Sequence, residues 1–466
     1  MKADRLPASF RDPSGFVFSR NDILYRQINH CYAEDFDYLI SSGLYAGLTK
    51  KGWLIDHEEQ KPHRLDGNSD DSAYKIIKPA VVPYISYPYE WSFSQLKDAA
   101  LLTLQIHKEA LRCGMTLKDA SAYNVQFIGS RPIFIDTLSF ERYIEDTPWV
   151  AYRQFCQHFL GPLALMGNLD VRFRHLLRSF IDGLPIDLIS KLLPRRSYLK
   201  YGLLSHIHLH ALSQRRHQDD SRQVEGEPKQ PRLSRRNHMA LIDSLISAID
   251  GCRLPGFATE WGDYYADTNY SANSMSEKER IIAELVDSHA GNHRIIHDLG
   301  GNTGQFSRLV AKTGCYVVSH DIDDIAVERN YLTNKAADSE NVLSLLLDLT
   351  NPSPAQGWGH AERDSLEQRS ANGMIMALAL IHHLAIGNNL PFSEIASFFS
   401  RLGRDLIIEF VPKEDSQVQR LLASRKDIFS KYCQSDFERA FMPHFDILER
   451  RPIEGSLRTI YRMMRK

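Results

Sequence analysis

From about residue 278 to the C terminus, short apolar runs alternate with segments whose apolar positions recur every three or four residues. The runs fall at residues 294–299, 315–320, 342–347, 373–380 and 405–411. Runs of this length, without polar alternation, predict strands buried on both faces of a sheet. Residues 279–286, 325–332 and 391–402 carry helical spacing and predict the helices between them. Two last segments, 445–449 and 458–461, flank a turn at Glu454-Gly455-Ser456 and predict an antiparallel hairpin. The pattern is that of an α/β unit with a mostly parallel sheet.

The amino-terminal half patterns differently. Residues 96–111 form a strong amphipathic helix signal, followed by short runs at 115–127 and 131–140. Residues 149–166 and 172–193 read as further helices. Between the halves, residues 213–236 are dominated by Gln, Arg, Asp, Glu, Pro and Ser, with only Val224 and Leu233 apolar. Such a stretch buries too little surface to offset its ordering entropy and reads as a flexible linker. The expected organisation is a first domain over 15–210, a linker over 213–236 and a second domain over 237–466, opened by a helix at 239–249. A chain of 466 residues exceeds what one core serves.

Composition narrows the class. The formal net charge is −2, which lacks the basic footprint of a duplex-binding protein and argues against nucleic acid. The six cysteines are scattered without a C-x-x-C pair, as in a reducing cytoplasm rather than a disulfide framework or zinc site. No run approaches membrane-spanning length. The expectation is a cytoplasmic protein with no metal held by cysteine or histidine clusters.

Candidate chemistry centres on His297-Asp298-Leu299-Gly300-Gly301-Asn302-Thr303-Gly304. Glycines after a strand let the backbone turn sharply and approach a ligand, which then faces the free N–H groups of the next helix. Asp321 ends the second strand, about where an acid grips a ribose. Asp348, the pair His382 and His383, and Glu409 also fall at or near strand ends, where ligands of such sheets sit. Asp323 rivals Asp321, although capping the following helix is the better use of Asp323 and Asp324. The aromatic segment 261–270, with Tyr264, Tyr265 and Tyr270, and Trp358 are candidates to cover or line the same site. Adjacent histidines at a strand end point to opposite faces, so a shared metal is disfavoured.

The D-L-G-G-N-T-G spacing and the terminal hairpin resemble class I S-adenosylmethionine (SAM) methyltransferases. That resemblance implies a Rossmann-like seven-stranded sheet, five runs plus the hairpin. It implies that Gly300, Asn302 and Gly304 line the methionine part of SAM and that Asp298 holds its amino group. Asp321 would then take the ribose hydroxyls and Asp348 the adenine amino group. His382 or His383 would act as base for a hydroxyl acceptor, the alternative being that one shapes the pocket and the other packs under the sheet.

In the first half, Asp119, Asn124 five residues later, and Asp136 after a hairpin resemble the catalytic loop and metal segment of the protein-kinase and aminoglycoside-phosphotransferase superfamily. This implies an α+β kinase-like domain, with ATP and Mg²⁺ at those residues. The sequence departs from that pattern. It reads Leu-Lys-Asp and Asp-Thr-Leu at the two motifs, and residues 1–90 carry no glycine-rich phosphate loop. Arg26 takes the place of the ATP-gripping lysine, with Glu34 or Asp35 as its partner. The Tyr87–Phe93, Leu117–Asn124 and Leu380–Leu384 blocks together resemble a bacterial family with nodulation-related methyltransferases. That implies an unidentified acceptor, with a carbohydrate or lipid-linked glycan as the choice, and an N-terminal domain that binds it. A bifunctional kinase–methyltransferase and a non-catalytic SAM-binding scaffold remain open.

Overall fold

The computed structural model describes residues 4–60, 73–214, 232–254, 271–288, 295–371, 373–423 and 426–466. The aromatic segment 261–270 and most of the 213–236 linker lie outside the described residues.

The carboxyl-terminal sheet has seven strands: β10 (Ile295–Leu299), β11 (Tyr316–Asp321), β12 (Val342–Leu346), β13 (Gly373–Ala377), β14 (Gly403–Phe410), β15 (Phe445–Pro452) and β16 (Thr459–Arg465). Their spatial order is β12-β11-β10-β13-β14-β16-β15. The first five run parallel, β16 pairs antiparallel with β14, and β15 pairs antiparallel with β16. Order reverses at β10, which pairs with both β11 and β13, so the glycine-rich turn leaves the sheet at its switch point. Near-complete burial of β10 to β14 explains their unbroken apolar runs.

The amino-terminal half carries a five-stranded antiparallel sheet ordered β1-β2-β3-β5-β4, from β1 (Asp4–Arg5), β2 (Gly15–Arg20), β3 (Ile23–Asn29), β4 (His57–Gln60) and β5 (Ala73–Pro79). A central helix, Phe93–Arg112, is closed at its start by a capping box in which Ser92 and Gln95 satisfy each other's backbone N–H groups. After it come two short pairs, β6 (Met115–Leu117) with β9 (Phe140–Arg142) and β7 (Val125–Ile128) with β8 (Arg131–Phe134). The helix Arg235–Asp250, expected to open the second domain, packs instead on the Phe93–Arg112 helix. Ile242, Leu245 and Ile249 join the core of the first half, and Lys108 pairs with Asp243 at 2.5 Å. Amphipathicity says that one face is covered and leaves open what covers it.

The halves share a core. Tyr316 and Val318 of β11, Leu343 and Leu345 of β12, and Tyr331 pack with the amino-terminal cluster, whereas Val317 and Val342 face the opposite side of the sheet. That alternation follows from the period-two geometry of a strand. Polar groups reinforce the joint. Glu90 receives Arg369 Nη1 at 2.9 Å and Nη2 at 2.5 Å, both side chains being 4% exposed. Ser353 Oγ donates to Glu90 Oε1 at 2.5 Å, and Arg174 Nε lies 2.8 Å from Asp324 Oδ1. The β7–β8 turn also enters this joint, with Gly129 N donating to Tyr316 Oη at 2.9 Å.

Candidate functional site

A cavity of about 410 Å³ opens at the switch point. Its wall includes Gly300, Gly301, Asn302, Asp298, Asp321, Asp348 and His383. The turn is folded back on β11: Gly300 N and Gly301 N both donate to His320 O, at 2.8 and 2.9 Å. Gly300 (φ 77°) and Asn302 (φ 49°) adopt left-handed conformations, which bring bare backbone to the cavity.

Gly304 differs from the expectation. It is absent from the cavity wall, and a Cβ there would stand 2.1 Å from Asn330 Oδ1. It packs closely against Asn330 behind the turn. Gly301, passed over as a ligand contact, does line the cavity, and a Cβ on it would sit 2.4 Å from Ser319 Oγ.

Asp298 is 2% exposed and accepts from Ser307 Oγ at 2.5 Å. Burial pushes its carboxyl up to about 6, against the help of that hydrogen bond. Asp321 Oδ2 accepts from Asn302 N at 2.8 Å and Oδ1 from Asp323 N at 2.9 Å. Burial raises Asp321 to about 6 as well, opposed by those backbone donors. Each oxygen retains a lone pair for a ligand hydroxyl. Asp348 Oδ1 is held by Thr350 N at 2.8 Å and Thr350 Oγ1 at 2.6 Å. Asp323 caps the next helix through Ile325 N and Ala326 N, at 2.8 and 2.9 Å, while Asp324 turns to Arg174.

The histidine pair is split. His383 lines the cavity; burial and then the charge of Arg458 lower it to about 4, so it is uncharged at neutral pH. His382 is fully buried, absent from the cavity wall, and its ring nitrogens have no hydrogen-bond partner among the described residues. Its ring packs against that of His383, tilted by 39° with centroids 4.1 Å apart, away from the cavity wall. Trp358 is 76% exposed and is not part of the wall.

Sequence reasoning missed a charged cluster beside the cavity. Lys278 Nζ, on the cavity wall, lies 2.7 Å from Glu409 Oε2, and Ala379 N donates to the same oxygen at 2.7 Å. Arg458 reaches Glu409 Oε1 at 3.7 Å and binds Asp415 through Nε at 2.7 Å and Nη2 at 3.0 Å. Two cations thus meet two carboxylates, which is what makes burial of all four tolerable. Ala379, also on the wall, sits at φ 49°, a strained conformation for a residue with a Cβ. Only Glu409 had shown a signal, its place at a strand end.

Asp119, Asn124 and Asp136 are brought close together in the first half. Asn124 Nδ2 donates to Ser139 Oγ at 3.1 Å, and Ser139 Oγ donates to Asp136 Oδ2 at 2.5 Å. Asp119 is pushed up by burial and by Asp136. Arg26 pairs with Asp136, Nη1 to Oδ1 at 2.5 Å, rather than with Glu34 or Asp35, whose contacts go to Arg142. Burial would raise Asp136, but the Arg26 charge and its hydrogen bonds outweigh it and hold the carboxyl low. An acid already neutralised by an arginine suits a Mg²⁺ ion poorly. Among the described residues no three His, Cys, Asp or Glu side chains gather as a metal site.

The sheet order, terminal hairpin and acid-lined switch-point cavity define the class: the carboxyl-terminal half has the class I SAM-dependent methyltransferase fold. The chain belongs to the family of the nodulation protein NoeA of Rhizobium meliloti (strain 1021), with 37% identity over 465 residues, covering 98% of this chain and 95% of that protein. No protein-family model matches the chain. Among solved structures, magnesium protoporphyrin IX methyltransferase (ChlM) of Synechocystis PCC 6803 with bound SAH is 15% identical, covering 44% of this chain and 93% of its own, with a TM-score of 0.31. The bifunctional kinase-methyltransferase WbdD is 13% identical, covering 45% of this chain and 43% of its own, with a TM-score of 0.29.

Proposed function

We propose that this protein is a SAM-dependent methyltransferase acting on a carbohydrate or lipid-linked glycan, with the amino-terminal half binding the acceptor. The observation that carries the reading is the cavity itself, where glycine backbone and three carboxylates converge at the sheet's switch point. Gly300, Gly301 and Asn302 would meet the methionine part of SAM, Asp298 its ammonium, Asp321 the ribose hydroxyls and Asp348 the adenine amino group. SAM, when bound, supplies an electrophilic methyl group. The chain's own contribution is to hold the acceptor in line and exclude water. His383, uncharged at neutral pH, accepts a hydrogen bond from an acceptor hydroxyl and orients it; burial leaves it a weak base. The glycan choice rests on the designation of the NoeA relative as a nodulation protein. Calorimetric titration with SAM tests the reading. Binding to the native protein that is lost in Asp321→Ala is expected; no binding to the native protein overturns it.

A second reading, a bifunctional enzyme that also phosphorylates, is favoured by the gathering of Asp119, Asn124 and Asp136 and opposed by the Arg26–Asp136 pair. Titration with ATP and Mg²⁺ decides it: binding abolished in Asp136→Ala supports phosphoryl transfer, and no binding at millimolar nucleotide removes it.

A further inference from the structure

The helix Ile186–Leu192 and the short helical segments Arg195–Leu199, Tyr201–Leu203 and Leu204–Leu209 pack together as one corner of the amino-terminal half. Buried Ser197, Leu203 and Ile207 anchor it. Outside that anchor, Tyr198, Leu199, Lys200 and Tyr201 are exposed in succession, with Leu199 at 89% and Tyr201 at 76%. Four consecutive exposed positions cannot come from a half-buried helix or strand, so the chain protrudes here. Leu209 and Leu212 add exposed aliphatic surface nearby in the chain. Isolated exposed apolar residues are ordinary, but a protruding group of them marks an interaction site.

Charge selects the partner. Lys191, Arg195, Arg196 and Lys200 are exposed among these side chains, and residues 188–214 contain no Asp or Glu. Arg196 and Lys200 hydrogen-bond to the neutral Asn168, at 3.0 and 2.8 Å, and neither forms an ion pair among the described residues. Lys191 shares an exposed pair with Asp187 at 3.3 Å. A second copy docked about a twofold axis would set these cations against their own kind. An anionic bilayer meets both demands: aliphatic tips enter the headgroup layer, tyrosines sit at the interface, and lysine and arginine face acidic lipids. No described helix is long and apolar enough to cross a membrane, so attachment is peripheral.

We propose that this corner docks the protein on an anionic lipid bilayer. The test is vesicle sedimentation of the full chain with phosphatidylcholine vesicles, with and without phosphatidylglycerol. Binding to the anionic vesicles, at least about tenfold stronger than to phosphatidylcholine alone and weakened by salt, is expected. The double variant Leu199→Glu, Tyr201→Glu should lose about tenfold or more of that binding with an unchanged unfolding midpoint, because both side chains already stand in water. Native protein that stays in the supernatant, or a double variant that binds like native, overturns the proposal. So does native protein that self-associates through this corner while ignoring vesicles, which would make it a contact between copies.

Discussion

Asp321→Asn tests the cofactor reading and separates it from a merely structural role. The Asp321 carboxyl is raised from 3.8 to about 6, chiefly by burial. The folded state therefore binds more protons than the unfolded chain between those values. Stability falls as pH rises through that window, and above about 6 the full cost stands. Two units correspond to roughly 3 kcal/mol, which the partly open side toward the cavity reduces to about 1–3 kcal/mol. Asparagine removes that cost but offers one oxygen to two backbone donors, Asn302 N and Asp323 N. Losing one of those bonds costs about 1–3 kcal/mol. At pH 7.5 the two effects offset, so urea unfolding should find the variant within about 1 kcal/mol of native. At pH 5 the native carboxyl is largely protonated in the folded state, which restores at most about 1.4 kcal/mol relative to pH 7.5, so the variant should there be the less stable by about 1 kcal/mol. SAM binding behaves differently. Loss of charged acceptors for two ribose hydroxyls should weaken it about a hundredfold at pH 7.5, read by calorimetry. A SAM Kd within about threefold of native would refute the ribose assignment. A large loss of stability at pH 7.5 would show that Asp321 serves mainly to hold the turn.

Glu90→Gln strands the buried Arg369 charge at the joint between the halves and should cost about 3–5 kcal/mol in urea unfolding of the full chain; a loss below about 1 kcal/mol would show that other contacts hold the joint. Gly301→Ala drives a methyl group against Ser319 Oγ and Asp298 Oδ2, so both the unfolding midpoint and SAM affinity should fall, and a native-like variant would show that the turn relaxes freely. His383→Ala should reduce methyl transfer while leaving the SAM Kd within about threefold, whereas His382→Ala should cost about 2–4 kcal/mol of stability through a buried cavity. The opposite split would assign the acceptor contact to His382. Because His383 titrates near 4, its loss should not remove any limb of the rate profile between pH 6 and 8.

What the sequence disclosed depended on how local the cause was. Strand β10 and its turn were legible because one short segment carries both the apolar run and the residues able to take left-handed backbone, Gly300 and Asn302. Asp298, Asp321, Asp348 and His383 could be placed at one cavity because parallel strands end on the same side. Gly304 was expected to meet the ligand, and spacing alone could not reveal that it also admits Asn330, against which a Cβ would stand 2.1 Å away. Lys278 escaped notice because an amphipathic helix ordinarily sends lysine to solvent. The facing Glu409, 131 residues away in the chain, pairs with it and offsets the cost of its burial. The Arg26–Asp136 pair was hidden for the same reason: each residue was assigned a partner by family position, and the actual contact spans strand and hairpin.

The shared core bears on how the two halves work together. A tethered accessory domain would leave the methyltransferase sheet closed by its own helices. Here Val318, Leu343 and Leu345 are covered by the amino-terminal cluster, and burying such side chains contributes about 1.5–3 kcal/mol each. The first half is therefore part of the sheet's covering layer. The contact also runs to the cavity. Tyr84 of the first half packs edge-on to His297 and His320, with centroids 5.4 and 6.3 Å away, and His320 O receives the Gly300 and Gly301 N–H groups. Arg369, held by Glu90, lies over Tyr84 at 5.2 Å. One residue, His320, thus touches the first half with its ring and the glycine turn with its carbonyl. Acceptor binding that shifted residues 84–90 would meet the cofactor turn after a single intervening side chain, whereas a linker-tethered arrangement would provide no such route.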